Sequence, residues 1–369
     1  MPAQLNITKT WFSNFLAEGA FVRSGEFWVL YLGPLVRAHA SQVQGEVSSP
    51  AMTDSSIISP PFYHQQCEPF VYQPLDKCKM STPQIRALLE QFIDDERFSI
   101  CLDGQVAHQE FWPCFQEIHG RILSGEIVKG VGSIVHRFQK VPTRGQRARM
   151  ILELTKAPQT LYPFGFWTKQ EGILGATPEV LFECHGKILK TMALAGTSRD
   201  GNQNELTLLE NPKERQEHQL VVDDLKSQLS RLGNVRTDDP KVLRLPGLQH
   251  LRTDIEVELN EMSQICDMIN QLHPTPALGV APRSYGYQWL NGILGQNGRN
   301  RFGAPLCYTI SANHHLCLVA IRCLQWSESE SFLGVGCGIV KDSLFENEWN
   351  ELQLKASSVL RVLDIGVVK

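Results

Sequence analysis

Apolar and polar positions change their period several times along this chain, and the changes mark out its elements. FWVLYLGPLV reads as a strand, followed by the Ser/Pro-rich stretch SSPAMTDSSIISPPF, which reads as a loop. STPQIRALLEQFIDDER has helical apolar spacing behind a cap-like Ser-Thr-Pro, and PCFQEIHGRILSGEI reads as a helix stopped at Gly125. KGVGSIVHRFQKV is strand-like, with Lys129 at its start. TLYPFGFWTK, GILGATPEVLFECH and KILKTMALAG continue as strands, with turns at Gly172 and at His185-Gly186. NPKERQEHQLVVDDLKSQLSRLG predicts a long helix, capped by Asn211, with Pro212 in its first turn and Gly233 as its stop. PLCYTISANHHLCLVAIRCLQW predicts a hairpin turning near Ala312-Asn313, LGVGCGIV a further strand, and SLFENEWNELQLKASSVLRVL a helix. The order is no clean β-α-β alternation. The expected fold class is therefore α+β, with large, mainly antiparallel sheets and helices packed outside them.

The chain has 369 residues and a formal net charge of -4, enough length for one large domain or two ordinary ones. No basic stripe points to nucleic acid, and no apolar run is long enough to cross a bilayer. The first residues lack the apolar core and cleavage site of a secretory signal. Ten cysteines are scattered without C-x-x-C spacing, mostly beside apolar residues. They read as buried, reduced thiols, and the expected location is the cytoplasm.

Candidate chemistry concentrates in the C-terminal two thirds. In the last helix Trp349, Leu352, Ala356 and Val359 recur at helical spacing, and Glu348, Glu351 and Lys355 lie one residue out of phase. Carboxylates at i and i+3 point the same way and can share a hard cation, or they can form a solvated edge that offsets the helix dipole. Glu217 precedes Leu220, Val221 and Leu225 near the buried side of its own helix, as metal ligand or solvated residue. Glu214 and Arg215 read as surface charge. Gly334, Gly336 and Gly338 alternate, which is not the spacing of a dinucleotide-binding loop. Alternating glycines let another group approach the backbone: either an anionic ligand or a crossing strand. HPTPALGVAPR is a proline-stiffened loop, and His273, Ala277 and Gly279 could line a pocket wall or simply sit in a connection.

Taken together, GEIVK, LGATPEVLF, LAGT, KERQEHQLVVDDL, HPTPALG, VAIRC and GCGIVKDSLFENEWNELQLK occur in an order that resembles the chorismate-utilising enzymes, most closely the isochorismate synthases. The similarity runs from about Phe111 to Leu363. It implies that family's fold, sheets packed face to face, with residues 1–107 a divergent N-terminal part and 108–369 the chorismate-binding region of one continuous structural domain.

The resemblance also implies roles. Lys129 would be the base that activates water, and Glu179 the acid that protonates the departing hydroxyl. Burial near other cations should lower the pKa of such a lysine. Glu217, Glu348 and Glu351 would hold Mg²⁺. Arg322 and Lys355 would bind substrate carboxylates, and Gly196, Thr197, Gly336 and Gly338 would complete the anion pocket. His273, Ala277 and Phe302 would line it. Within the family a lysine at the position of Lys129 goes with water addition and a glutamine with amination. The HPT loop, without lysine, sides with isochorismate synthases over salicylate synthases. Chorismate is the expected small-molecule partner, and no amidotransferase subunit is expected. The alternatives are a salicylate synthase, an aminating relative and a non-catalytic chorismate-binding protein. The chain departs from the family pattern at Gly130, Gly132 and Ile134, and at Val280, Phe302 and Cys307.

Overall fold

The structure is a computed structural model that describes residues 8–38, 41–43, 46–48, 53–66, 70–102, 104–199, 205–245, 247–261, 263–293 and 296–368. Positions 49–52 of the expected Ser/Pro-rich loop, and the first seven residues, lie outside them. Two large sheets carry the fold. A nine-stranded sheet runs in the spatial order Val280–Ala281, Lys129–Phe138, Ser331–Ile339, Cys323–Trp326, Gly172–Thr177, Tyr162–Trp167, Gly19–Ser24, Phe27–Leu32 and Asp76–Ser81. A ten-stranded sheet has Gly233–Thr237, Leu248–Leu259, Ile188–Arg199, Val180–His185, His314–Val319 and Pro305–Ser311 along its main run. Every pairing within the two sheets is antiparallel. Residues on both sides of position 107 contribute strands to both sheets.

The sheets face each other over Val22, Tyr31 and Phe166 from one and Met192, Leu316 and Leu318 from the other, all buried. Helices cover the outer faces. Gly104–Leu123 and Phe345–Val362 lie on the nine-stranded sheet, and Pro212–Leu229 and Ile265–Leu272 on the ten-stranded one. No helix among the described residues is long and apolar enough to cross a membrane. Of the nine described cysteines, all but Cys101 are buried.

Several boundaries differ from the sequence pattern. The helix expected to begin at Pro113 begins at Gly104 and carries Pro113 inside it. An internal proline costs about 3 kcal/mol. Fully burying Phe111, Phe115 and Ile118 against the sheet and the last helix returns about 1.5–3 kcal/mol each, so packing wins. The helix after the Ser81 cap stops at Leu89, and the long helix from Pro212 ends at Leu229, leaving Gly233 to open the next strand.

The most consequential difference lies in GILGATPEVLFECH, which is two strands. Gly172–Thr177 belongs to the nine-stranded sheet and Val180–His185 to the ten-stranded one. Pro178 has no N–H to continue a ladder, and the chain crosses over there. VAIRC crosses back in the same way between His314–Val319 and Cys323–Trp326. The two crossings are tied together: Val319 donates its amide to the Glu179 carbonyl at 3.1 Å, and Ala176 donates to the Arg322 carbonyl at 3.2 Å.

Candidate active site

The crossings place Glu179 and Arg322 side by side where the sheets part, on the wall of a cavity of about 660 Å³ counting its open mouth. The floor is the strand Ser331–Ile339, which presents Gly334, Gly336 and Gly338. Each glycine leaves room for a named neighbour. A Cβ at 334 would stand 2.6 Å from the Phe302 ring, and one at 338 would stand 2.3 Å from Glu217 Oε1 and 2.9 Å from Lys129 Cε. Ala277, Leu278 and Ile321 form an apolar side. The paired strand Lys129–Phe138 turns Gly130 and Gly132 outward, where Ile118 and Phe111 of the covering helix fill the space that a Cβ would need. The glycines that depart from the family pattern therefore let that helix sit close.

Charge gathers at one end of the cavity. Lys129 is fully buried, and its ammonium meets Glu217 Oε1 at 2.8 Å. Burial drives the Glu217 carboxyl up, but Lys129, Lys213 and Lys355 outweigh it, and the net shift is downward. Glu351 and Lys355 pair at 2.6 Å along the last helix, and Lys355 also donates to the Gly336 carbonyl at 2.7 Å. Glu348 is buried and takes Lys213 at 3.0 Å. Burial and the nearby Glu351 hold its carboxyl above the usual range, despite Lys213.

A second set of groups on the cavity wall combines Glu179 with a cation, Arg322, and neutral donors. Burial pushes Glu179 up to about 7, with Lys129 and Lys355 opposing the rise. A carboxyl at about 7 is half protonated near neutral pH, which suits it to proton transfer. Arg322 is the rare non-glycine residue with φ of 56°, in the left-handed region. Its guanidinium lines the cavity and has no carboxylate within 4 Å among the described residues. Burial lowers its pKa to about 10, against the pull of Glu351. Its Nη2 lies 3.4 Å from His250 Nε2, and His250 Nδ1 lies 3.1 Å from the Thr197 hydroxyl. Burial, then Arg322 and Lys355, keep His250 far below its ordinary pKa, so the ring is neutral. A guanidinium can only donate. Nε2 therefore accepts, and Nδ1–H donates to Thr197.

A family model described as chorismate binding enzyme matches residues 88–364. The chain belongs to the chorismate-binding enzyme family. It is similar to the salicylate biosynthesis isochorismate synthase of Pseudomonas aeruginosa, 35% identical over 198 residues, covering 52% of this chain and 41% of the relative. It is also similar to the isochorismate synthase MenF of Bacillus subtilis, 32% identical over 213 residues, covering 56% of this chain and 45% of that protein. These matches span about half the length of the curated relatives. Among solved structures, the menaquinone-specific isochorismate synthase MenF of Escherichia coli superposes with a TM-score of 0.72 at 20% identity, covering 98% of this chain and 92% of that one, and shows that the fold is shared.

Of the residues that the family resemblance singles out, Glu179, Gly196, Thr197, Glu217, Ala277, Phe302, Arg322, Gly336, Gly338, Glu351 and Lys355 line the one cavity. Lys129 stands just behind the floor at Gly338, and Glu348 beyond Lys213. His273 is not brought to the wall. Its Nε2 donates to the Phe62 carbonyl at 2.8 Å, and its ring packs against Phe62 and His64. Glu214 is corrected as well. Far from being surface charge, it is buried, accepts the Thr197 amide at 2.7 Å, and is pushed up to about 7 by burial and by Glu217. Its i,i+3 relation to Glu217 was the available signal, the same relation that joins Glu348 to Glu351. Arg215 is exposed as expected. Lys213 and His250 were missed, and nothing in their local sequence distinguishes them.

Proposed function

We propose that this protein is an isochorismate synthase, which adds water at C2 of chorismate as the C4 hydroxyl leaves and the double bond shifts between them. The observation that carries this reading is the placement of buried Glu179 on the wall of a cavity with buried Lys129 just behind its floor. In its neutral form Lys129 would take a proton from the incoming water, and Glu179 in its acid form would give one to the departing hydroxyl. Water enters and water leaves, so the product is an isomer and no co-reactant is consumed. Arg322, with no carboxylate partner among the described residues, receives a substrate carboxylate, oriented through His250 and Thr197. Lys355 and the bared amides of the glycine strand add further positive potential.

The donor set has the chemistry of a hard divalent cation site, although no three of its carboxylates bring ligand atoms within 4.8 Å of one another and Glu217, Glu348 and Glu351 are each paired with a lysine. Glu214, Glu217, Glu348 and Glu351 crowd together, and Glu214 and Glu348 are held above the usual carboxylate range by burial and by their acidic neighbours. Such crowding is relieved by a cation. Glu217 and Glu351 would hold Mg²⁺ directly, with Glu348 direct or through water. Bound there, the ion would neutralise and fix a substrate carboxylate.

Incubation of the purified protein with chorismate and MgCl₂, with products resolved by chromatography, tests the reading. A chorismate–isochorismate mixture that requires Mg²⁺ is expected. Salicylate with pyruvate, an aminated product when ammonium is supplied, or unchanged chorismate would each overturn it.

A further inference from the structure

Away from the cavity, at the far end of the strand that Glu179 precedes, a second group of ligating side chains converges. Glu183 and His185 alternate along Val180–His185 and so share one face of the sheet. The antiparallel register sets His185 directly opposite His314. The two imidazoles stack with centroids 3.7 Å apart and planes 28° apart. Both bring Nε2 to a single oxygen, Glu183 Oε1, at 2.8 Å from His314 and 3.3 Å from His185. The three ligand atoms lie within 4.8 Å of one another. His314 and Glu183 are largely covered, at 16% and 27% exposure, and His185 is half open at 54%.

We propose that Glu183, His185 and His314 form a cation site separate from the carboxylate cluster of the cavity, for a borderline divalent ion of the Zn²⁺ class. Two imidazole nitrogens and one carboxylate are the ligands such an ion prefers, whereas Mg²⁺ favours oxygen alone. Tetrahedral bonds of about 2.0–2.2 Å set neighbouring ligand atoms roughly 3.3–3.5 Å apart. The His185–Glu183 separation already fits; the His314–Glu183 contact must open from 2.8 Å, and the two stacked rings must splay so that both Nε2 lone pairs meet at one ion. Glu183 borders a groove also lined by Tyr162, Lys190 and Arg252. Lys190 lies directly across from Glu183, but its ammonium is turned to Glu256 at 3.5 Å. An ion here clips Val180–His185 to His314–Val319, the two strands whose other ends lead into Glu179 and Arg322. The inference stands on these three residues alone and does not depend on the reaction catalysed.

The test is titration of the full chain, stripped with EDTA and then saturated with MgCl₂, with CoCl₂ as the spectroscopic probe and ZnCl₂ as competitor. The expected result is visible absorption of low-coordinate Co²⁺, saturating at about one equivalent and displaced by Zn²⁺. His185→Ala and His314→Ala should each weaken it by at least about tenfold, while Glu351→Gln leaves it intact. His185 is half exposed, so its variant is expected to fold, and the metal-free melting temperature checks this. Absence of such absorption in the wild type, or Co²⁺ binding unchanged in both histidine variants, or binding lost in Glu351→Gln, would overturn the proposal.

Discussion

Glu179 and Glu183 belong to the two ends of one short strand, and their carboxyls move in opposite directions. At the inner end, Glu179 sits where the chain passes between sheets, and burial lifts it to about 7. At the outer end, Glu183 takes a hydrogen bond from His314, and that bond holds it below the usual range in spite of partial burial. The residue type is the same, and so is the strand. What differs is the neighbour on the adjacent strand: beside Glu179, the Val319 amide donates only to the Glu179 backbone carbonyl, whereas beside Glu183 the His314 imidazole donates to the carboxyl itself. A carboxyl becomes a proton carrier when the partner strand covers it without answering its charge, and a fixed anion when the partner strand does answer.

Substitution at the inner end should break this contrast most sharply. Glu179→Gln is expected to lower kcat by about 10²–10⁴-fold with chorismate binding retained, read from steady-state rates and a direct binding titration. A loss under tenfold would remove Glu179 as the acid. Gly338→Ala comes next, because its Cβ would enter the space held by Glu217 Oε1 and Lys129 Cε. A misplacement of about 1 Å costs on the order of 10²-fold in turnover. Wild-type rates in that variant would show that the Lys129–Glu217 geometry is not used. The titration of Glu179 predicts a smaller, graded effect. The acid must be protonated, so kcat/KM should fall about tenfold per pH unit above roughly 7. A profile flat from pH 7 to pH 9 would contradict the raised pKa. At the outer end, Glu183→Gln should leave turnover within about twofold of wild type in Mg²⁺-saturated assays, since its side chain does not reach the cavity. A large loss there would mean that the two ends of the strand are coupled.

Local signals brought much of this architecture within reach of the sequence. The Asn211 cap accepts the amides of Lys213 and Glu214, a strand starts at Lys129 (though it stops at Phe138, short of the expected Val141), and the hairpin turns at Ala312-Asn313. Each is written in a few adjacent residues. The two sheet crossings were not legible in the same way. Ile173 and Leu174 before Pro178, and Val180, Leu181 and Phe182 after it, are all buried, so apolar periodicity does not change as the chain leaves one sheet for the other. Arg322 sits in a similarly uniform string and takes a backbone conformation that its sequence does not announce. His273 shows the reverse error. A motif places it beside the pocket in sequence, while its hydrogen bond to Phe62, distant along the chain, turns the ring away. Lys213 and His250 owe their place to tertiary contacts with Glu348 and Arg322 and carry no local mark.

The glycine floor also limits how this site could be altered. A surface made of backbone offers no side chain to trim, so any replacement at 334, 336 or 338 can only add bulk. New ligand preferences would have to come from the walls, from Ala277, Phe302 and Ile321, where volume can be exchanged in either direction. A lineage, or an engineer, seeking a different substrate would find the floor fixed and the sides negotiable.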